Sequence, residues 1–489
     1  MPQTNAELLK SLRKLRCQIT EDAAVRIERW QPDIDEPGFA RSAENLAHYL
    51  AFRHHDLRDL QREMMRRGLS SLGRLESRVL ITLATVEAAL EAMGADHPTP
   101  PDFPPPARDF FAGEARLHDN AHALLAGASD NNSGRILATL SAEAAEDPAY
   151  MREILRHGAD LVRINCAHDN QEVWAGMIAN TSAAAAEAGR RIPILMDIAG
   201  PKLRVGQVKR SPGERLWAGD HFRIVADAGD FLSDAMIEVE CQPPEVLKML
   251  SPGIEVSFDD GKLEGVVEAS GEADALVLVR RTALKGFKMR PERGFTFPRA
   301  PLNLDPLTPN DLIDLDFIAA NADMVGFSFV QTPDDIVRLQ AELAARRPDW
   351  RKIGIIAKIE TAQAVSNLPD IIVRAAGKQP FGVMIARGDL AVSIGFERLA
   401  EMQEEILWLC EAAHVPVIWA TQVLEEMVKS GLPTRGEMTD AAMASRAECV
   451  MLNKGPNMCE AITALRGLLV RMEGHQSKKT ARLRALHSW

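Results

Sequence analysis

Along residues 5–94 apolar side chains recur three and four apart, as in LAHYLAFRHHDLRDLQREMM and LESRVLITLATVEAALEAM, which predicts an almost wholly helical region. The stretch DHPTPPDFPPPARD at 96–109 is crowded with helix breakers and marks a boundary. From Arg135 the pattern changes to short apolar runs alternating with amphipathic helical stretches. The runs are RILATL at 135–140, ADLVRINC at 159–166, PILMDI at 193–198, ADMVGFSFV at 322–330, GIIAKIE at 354–360, FGVMIARG at 381–388, PVIWAT at 416–421 and ECVMLN at 448–453. Such strand-plus-helix units predict an α/β chain with a (β/α)8 TIM barrel. The spacing fails once, at 205–300. There MIEVECQ at 236–242 and EVSFDDGKLEGVVEA at 255–269 alternate with period two between SPG and DDG turns, which predicts a small β-domain inserted after the third strand as a lid. The expected division is a helical region at 1–95, a Pro-rich linker and lead-in helix at 96–134, the barrel at 135–204 and 299–473, a β-barrel-like lid at 205–298, and a solvated basic tail at 474–489.

Charge sharpens this picture where it interrupts the runs. A strand buried on both faces reads as continuously apolar, so charges confined to its C-terminal end point to a site on the rim of the barrel. IGIIAKIET at 353–361 ends in Lys358 and Glu360, and FGVMIARGDL at 381–390 ends in Arg387 and Asp389. The second run ends in Arg163, Asn165 and His168; the third in Asp197, Lys202 and Arg204; the fourth in Ser328; the seventh in Thr421. An ammonium can neutralise a phosphoryl group or an enolate, and two carboxylates are hard oxygen ligands suited to Mg²⁺. The set reads as an anion-plus-metal site.

Bulk properties narrow the alternatives. A net charge of −12 over 489 residues argues against a nucleic-acid partner. Membrane association is not expected: Glu87 and Glu91 interrupt the most apolar stretch, 79–94, and MPQTNAELLKSLRKLRCQ lacks the apolar core of a secretory signal. The cysteines, at 17, 166, 241, 410, 449 and 459, include no C-x-x-C pair, so neither a disulfide framework nor a zinc site is indicated. A cytoplasmic protein with buried thiols is expected. No Walker-type phosphate loop is present.

The motifs ADLVRINCAH, MDIAGPKLRVG, the DDG of 259–261, TPNDLIDLDFI, GFSFVQTPDDI, IIAKIETAQAVSNL, MIARGDLAVSI, WATQVLEEM and PTRGEMTDAA, in this order, resemble the pyruvate kinase family over about 135–470. The resemblance implies a (β/α)8 barrel with a β-domain after the third strand, and a Mg²⁺-dependent transferase moving a phosphoryl group from phosphoenolpyruvate to ADP, the last step of glycolysis. It implies that Glu360 and Asp389 hold Mg²⁺, with Mn²⁺ as the alternative ion. Lys358 and Arg163 would act on the phosphoryl group. Ser328 would line the substrate site, the backbone N–H groups of Gly388 and Asp389 would receive the substrate carboxylate, and Thr421 would contact it and serve a proton relay. Asn165, His168, Arg204 and Arg293 fall where the family contacts the nucleotide (ADP/ATP).

The chain also departs from the family pattern. Where potassium-dependent members bind a monovalent cation, Ala167 and Ile198 are apolar, although Asn165 and Asp197 remain, and a glutamate is replaced by Lys202. The resemblance then implies an internal cation at Lys202 and no K⁺ requirement; the alternative is that Lys202 pairs with Asp197. LSAEAAEDP after Thr139 replaces a G-P-A-S loop, and MLNKGPNMCEA is shorter than the family's eighth-strand loop, with Lys454 the candidate substitute. The family's C-terminal effector domain has no counterpart, so sugar-phosphate activation is not expected, and the N-terminal helices are read as internal core or subunit contact. A homo-oligomer is expected. Two other readings stay open: a Mg²⁺-dependent lyase or aldolase acting on a 2-oxo acid, and a non-catalytic sensor of phosphoenolpyruvate.

Overall fold

The computed structural model describes residues 4–93, 103–126, 134–210, 213–230, 236–259, 261–298, 300 and 304–482. Eight parallel strands close into a barrel. They are β1 (Arg135–Thr139), β2 (Leu161–Asn165), β3 (Ile194–Asp197), β4 (Met324–Phe327), β5 (Gly354–Ile359), β6 (Phe381–Ala386), β7 (Val417–Ala420) and β8 (Cys449–Leu452). β1 pairs in parallel with β8 at Arg135↔Cys449 and with β2 at Leu137↔Leu161, which completes the ring. Every run expected from the sequence is a strand of this barrel.

Alternation along the strands decides what fills the cylinder. Leu137, Leu161, Leu195, Met324, Ile356, Met384, Ile418 and Met451 form one buried apolar cluster. Residues two positions further on face the same way. So Thr139, Arg163, Asp197 and Lys358 form a polar layer above the apolar one, at the C-terminal mouth. The opposite end is stopped by Leu124 and Leu125 of the helix Ala112–Leu125, which join the same cluster. Gly354 and Gly382 make room for that plug, because a Cβ there would lie 2.4 and 2.9 Å from Leu124.

Between β3 and β4 lies a seven-stranded sheet running from Arg204–Lys209 to Phe295–Thr296. Its pairs are antiparallel except for His221–Val225 with Ile237–Gln242, and an isolated bridge Arg204↔Gly294 brings its two edges together. Phe222, Phe258, Phe295 and Val277 belong to a core separate from that of the barrel. The expected DDG turn joins Glu255–Phe258 to Leu263–Ser270, with left-handed Asp259 (φ +51°) and Gly261 (φ +85°); Asp260 lies outside the described residues.

Of four N-terminal helices, Asn5–Trp30, Pro37–Arg53, Arg58–Met65 and Val79–Ala92, the first two pack on the barrel's outer layer and the fourth packs on them. The first is capped by Thr4 and Glu7 and buries Leu8, Leu12, Leu15 and Ile19 in a core continuous with the barrel helices. Polar contacts fix the docking. Asn45 donates to the Ala412 carbonyl at 2.8 Å, and Asp35 N–H donates to the Gly377 carbonyl at 2.8 Å. His414 sits between Ser42 Oγ (2.8 Å) and the Ser77 carbonyl (3.0 Å), and burial pushes its pKa down to about 4. The start of the basic tail corrects the solvated reading: Gln476–Ser477 and Thr480–Ala481 form a hairpin whose Lys478 and Lys479 meet Glu448 and Glu76, each at 2.5 Å. Residues 483–489 and 94–102 lie outside the described residues.

Candidate active site

Asp197, at the end of β3, is the hub of the polar layer. Its Oδ2 accepts from Arg163 Nε at 2.8 Å and from Arg163 Nη2, and lies 3.5 Å from Lys358 Nζ. Its Oδ1 is buried without a hydrogen-bond partner. Gly326 on the neighbouring strand leaves space for that oxygen, since a Cβ there would come within 2.5 Å of it. Lys358 is 12 % exposed, lies 3.1 Å from Glu360 Oε1 and donates to Ser328 Oγ at 2.7 Å, and that hydroxyl donates to the Ile198 carbonyl at 2.7 Å.

Burial works against the charge on Lys358, but the carboxylates of Asp197 and Glu360 outweigh it, so its pKa is raised and the side chain is an ammonium ion. Glu360 is pulled both ways. Burial raises its pKa first, the charge of Asp389 adds to that, and Lys358 and the Phe329 N–H oppose it; the balance is a raised pKa. The Phe329 N–H reaches Glu360 Oε2 at 2.6 Å from a left-handed backbone, φ +54°. For a bulky residue that conformation costs of order 1–3 kcal/mol, and the surroundings must hold it.

Asp389 opens onto the same place from the first turn of the helix Arg387–Ile394. Lys202 Nζ lies 2.9 and 3.2 Å from its two oxygens. The partner of Lys202 is thus Asp389 rather than Asp197, the alternative left open by the sequence. The loop after β3 runs across the mouth, so the side chain reaches over to the β6 end. Lys202, Phe329, Glu360 and Asp389 line a cavity of about 260 Å³ whose other wall is Phe295–Pro298, at the end of the inserted sheet. The mouth of the barrel is thus one wall of a cleft under the lid.

Thr421 follows β7 in a left-handed conformation, φ +63°, and its Oγ1 accepts the Gly388 N–H at 2.9 Å. This corrects the expectation of two open amides: the Gly388 N–H already has an acceptor, and the threonine O–H remains as a donor. At the end of β2, Asn165 Oδ1 accepts the Ala167 N–H at 3.2 Å. His168 is lowered in pKa, first by burial and then by the positive charges of Lys454, Arg204 and Arg163, which places four basic side chains in one neighbourhood. Arg293 instead pairs with Asp259 within the lid, and Arg204 donates to the Glu292 carbonyl at 3.3 Å.

Two residues carry more than the sequence suggested. Asp197 looked like one charge among several, because a hub is visible only once β2, β3 and β5 are adjacent. Arg387 looked like a member of the charged cluster, yet it turns away toward β7. Among the described residues no three His, Cys, Asp or Glu side chains gather as a metal cluster, and no helix is long and apolar enough to cross a membrane.

Residues 131–457 match the family model described as "Pyruvate kinase, barrel domain". The chain is 32% identical over 326 residues to a pyruvate kinase of Agrobacterium vitis, covering 66% of this chain and 65% of the relative. It is 34% identical over 322 residues to one of Methylorubrum extorquens, covering 65% and 63%, and 32% identical over 324 residues to one of Thermococcus litoralis, covering 65% and 64%. The match spans a little under two thirds of each of these relatives. With its barrel, the sheet inserted after the third strand and a family match over 131–457, the chain belongs to the pyruvate kinase family.

Proposed function

We propose that the chain moves the phosphoryl group of phosphoenolpyruvate to ADP, giving pyruvate and ATP. The observation that carries this reading is the Lys358 ammonium, held by Asp197, Glu360 and Ser328 at the strand ends beneath the lid. A positioned cation in a site shielded from water stabilises charge on a transferring phosphoryl group far better than one in bulk solvent. Arg163, steadied by Asp197, grips the phosphate beside Lys358. The bond from phosphorus to the enol oxygen breaks as an ADP oxygen bonds to phosphorus. The enolate then takes a proton at its methylene carbon, with the Thr421 hydroxyl at the head of the relay. The Asp389 N–H and Thr421 face the substrate carboxylate, Ser328 orients Lys358, and Asn165, His168, Arg204 and Arg293 attend the nucleotide.

Glu360 and Asp389 fit Mg²⁺. They are hard oxygen donors whose mutual repulsion contributes to the raised pKa of Glu360, and both line the cavity. One or two carboxylates completed by water and substrate oxygens is the usual protein share of a Mg²⁺ site. When bound, the ion supplies charge neutralisation for the phosphoryl and enolate oxygens. Lys202, beside Asp389, supports independence from K⁺, because its ammonium brings a positive charge covalently to the same mouth.

A coupled assay of pyruvate formation with and without ADP and K⁺ tests this reading. ADP-dependent turnover unaffected by K⁺ is expected, and cleavage of a 2-oxo acid without ADP would replace it with a lyase. The replaced loops at 141–147 and 453–459 favour the second reading, a phosphoenolpyruvate sensor; binding without turnover would establish that instead.

A further inference from the structure

β7 leaves the barrel through an unusual exit: Thr421, Gln422 and Leu424 have φ of +63°, +55° and +47°. A β-branched residue resists that region, so Thr421 keeps it only if its neighbours dictate it. One side chain reaches the backbone on both sides of Thr421. Arg387 Nε donates to the Ala420 carbonyl at 3.0 Å, and Nη2 donates to the Thr421 carbonyl at 2.5 Å. Those carbonyls belong to the two peptide planes that flank the Thr421 Cα. A rigid planar fork holding both planes fixes φ and ψ of Thr421 together. The next residue, Gly388, donates its N–H to Thr421 Oγ1 at 2.9 Å and so fixes the side-chain torsion.

The fork is itself immobilised. Its Nη1 pairs with Asp440 of the helix Arg435–Ala444, and its carbon lies 5.1 Å from the centre of the Trp419 ring. Arg387 is only 8 % exposed. Asp389 stands two residues further along the same turn, so the segment that presents a carboxylate to the cleft also sets the threonine.

We propose that Arg387, backed by Asp440, is a positioning residue that holds the Thr421 hydroxyl for proton delivery to the enolate. The proposal rests on the phosphotransferase reading above. Its loss therefore slows protonation more than it weakens substrate binding. A lysine cannot substitute, because a single ammonium cannot hold two carbonyls and a carboxylate in one plane.

The test is a double-mutant cycle of Arg387→Gln with Thr421→Ala, read by pyruvate formation and by solvent-deuterium incorporation into the pyruvate methyl group. Arg387→Gln is expected to lower both rates on the order of 10–100-fold with KM for phosphoenolpyruvate within about threefold. The double variant is expected to be no slower than Thr421→Ala alone. Multiplying effects, or a loss confined to KM, would overturn the proposal. A second readout needs no turnover: the Thr421 methyl resonance of the substrate-free full chain is expected to shift in Arg387→Gln and to return on adding guanidinium, and an unchanged resonance would also overturn it. Should the wild type make no pyruvate, the functional reading falls while this resonance still decides the positioning role. If Arg387→Gln does not fold, Asp440→Asn, which loosens the same fork, is expected to change both readouts in the same direction by a smaller amount; no change would count against the proposal.

Discussion

Two groups of charges are taken out of water in this molecule, one at the barrel mouth and one on its flank. The mouth holds Arg163, Asp197, Lys358 and Glu360. The flank holds Glu76, Glu411, Glu448, Lys478 and Lys479, where the helix Phe396–Ala412 meets the N-terminal layer and the C-terminal hairpin. Each contains a glutamate with a raised pKa, and the flank cavity of about 390 Å³ exceeds the 260 Å³ of the mouth. Neither a perturbed carboxyl nor a cavity therefore identifies the functional cluster by itself. The connectivity of the charges does. On the flank, Lys478 pairs with Glu448, and Lys479 pairs with Glu76 while lying 3.5 Å from the Trp408 ring centre; these contacts tie together segments that no sheet joins. At the mouth the closed barrel already fixes the strands. Its charges share one carboxylate oxygen and leave the other unpaired, an arrangement that serves a ligand better than it serves the fold.

Changes at the mouth are expected to cost rate, and changes on the flank are expected to alter stability. The largest effect comes from Lys358→Met. Turnover is expected to fall by about 10³-fold or more, since the cation proposed to act on the phosphoryl group is gone. The fold is expected to survive, because Asp197 keeps Arg163 as its partner. Full activity in that variant would remove Lys358 from the mechanism. Lys202→Glu is the next largest. It puts a carboxylate where Asp389 now has an ammonium, so kcat/KM is expected to drop about tenfold and to recover partly with K⁺. A steady-state titration with KCl checks it, and an enzyme indifferent to both changes would dismiss the internal cation.

The barrel was legible from its pattern because each strand is short, buried on both faces and bounded by polar residues. The same regularity exposed Lys358, Glu360 and Asp389: a charge ending an apolar strand has nowhere to go but the rim. What the pattern concealed depends on neighbours in space. Lys202 meets Asp389 across the mouth, 187 positions away in the chain, and no local spacing signals it. Arg387 serves β7 although it belongs to the β6 turn. The plug formed by Leu124 and Leu125 could not be told from any other amphipathic helix end. Similarly, Lys478 and Lys479 read as solvated charge, because the carboxylates that receive them lie at Glu448 and Glu76.

The smallest expected effect on activity, and the sharpest separation of the two clusters, comes from Glu411→Gln. Burial pushes the Glu411 carboxyl up to about 7; Glu76 and Glu448 add to this, and Lys478 and Lys479 oppose it. Arg78 and the Tyr49 hydroxyl also feel its charge. An unfolded glutamate loses its proton near its ordinary value of 4.5. Between that value and about 7 the folded chain binds more protons than the unfolded one, so this group's contribution falls as pH rises. The full penalty, on the order of 3 kcal/mol, is present above the folded pKa and absent below the unfolded one. Glutamine does not titrate. The variant is therefore expected to melt with the wild type near pH 4.5 and several degrees above it near pH 8, at unchanged kcat. A melting difference that stays constant with pH would mean that Glu411 is not strained by burial. A fall in kcat would mean that the flank is coupled to the mouth and that the two clusters are not separate.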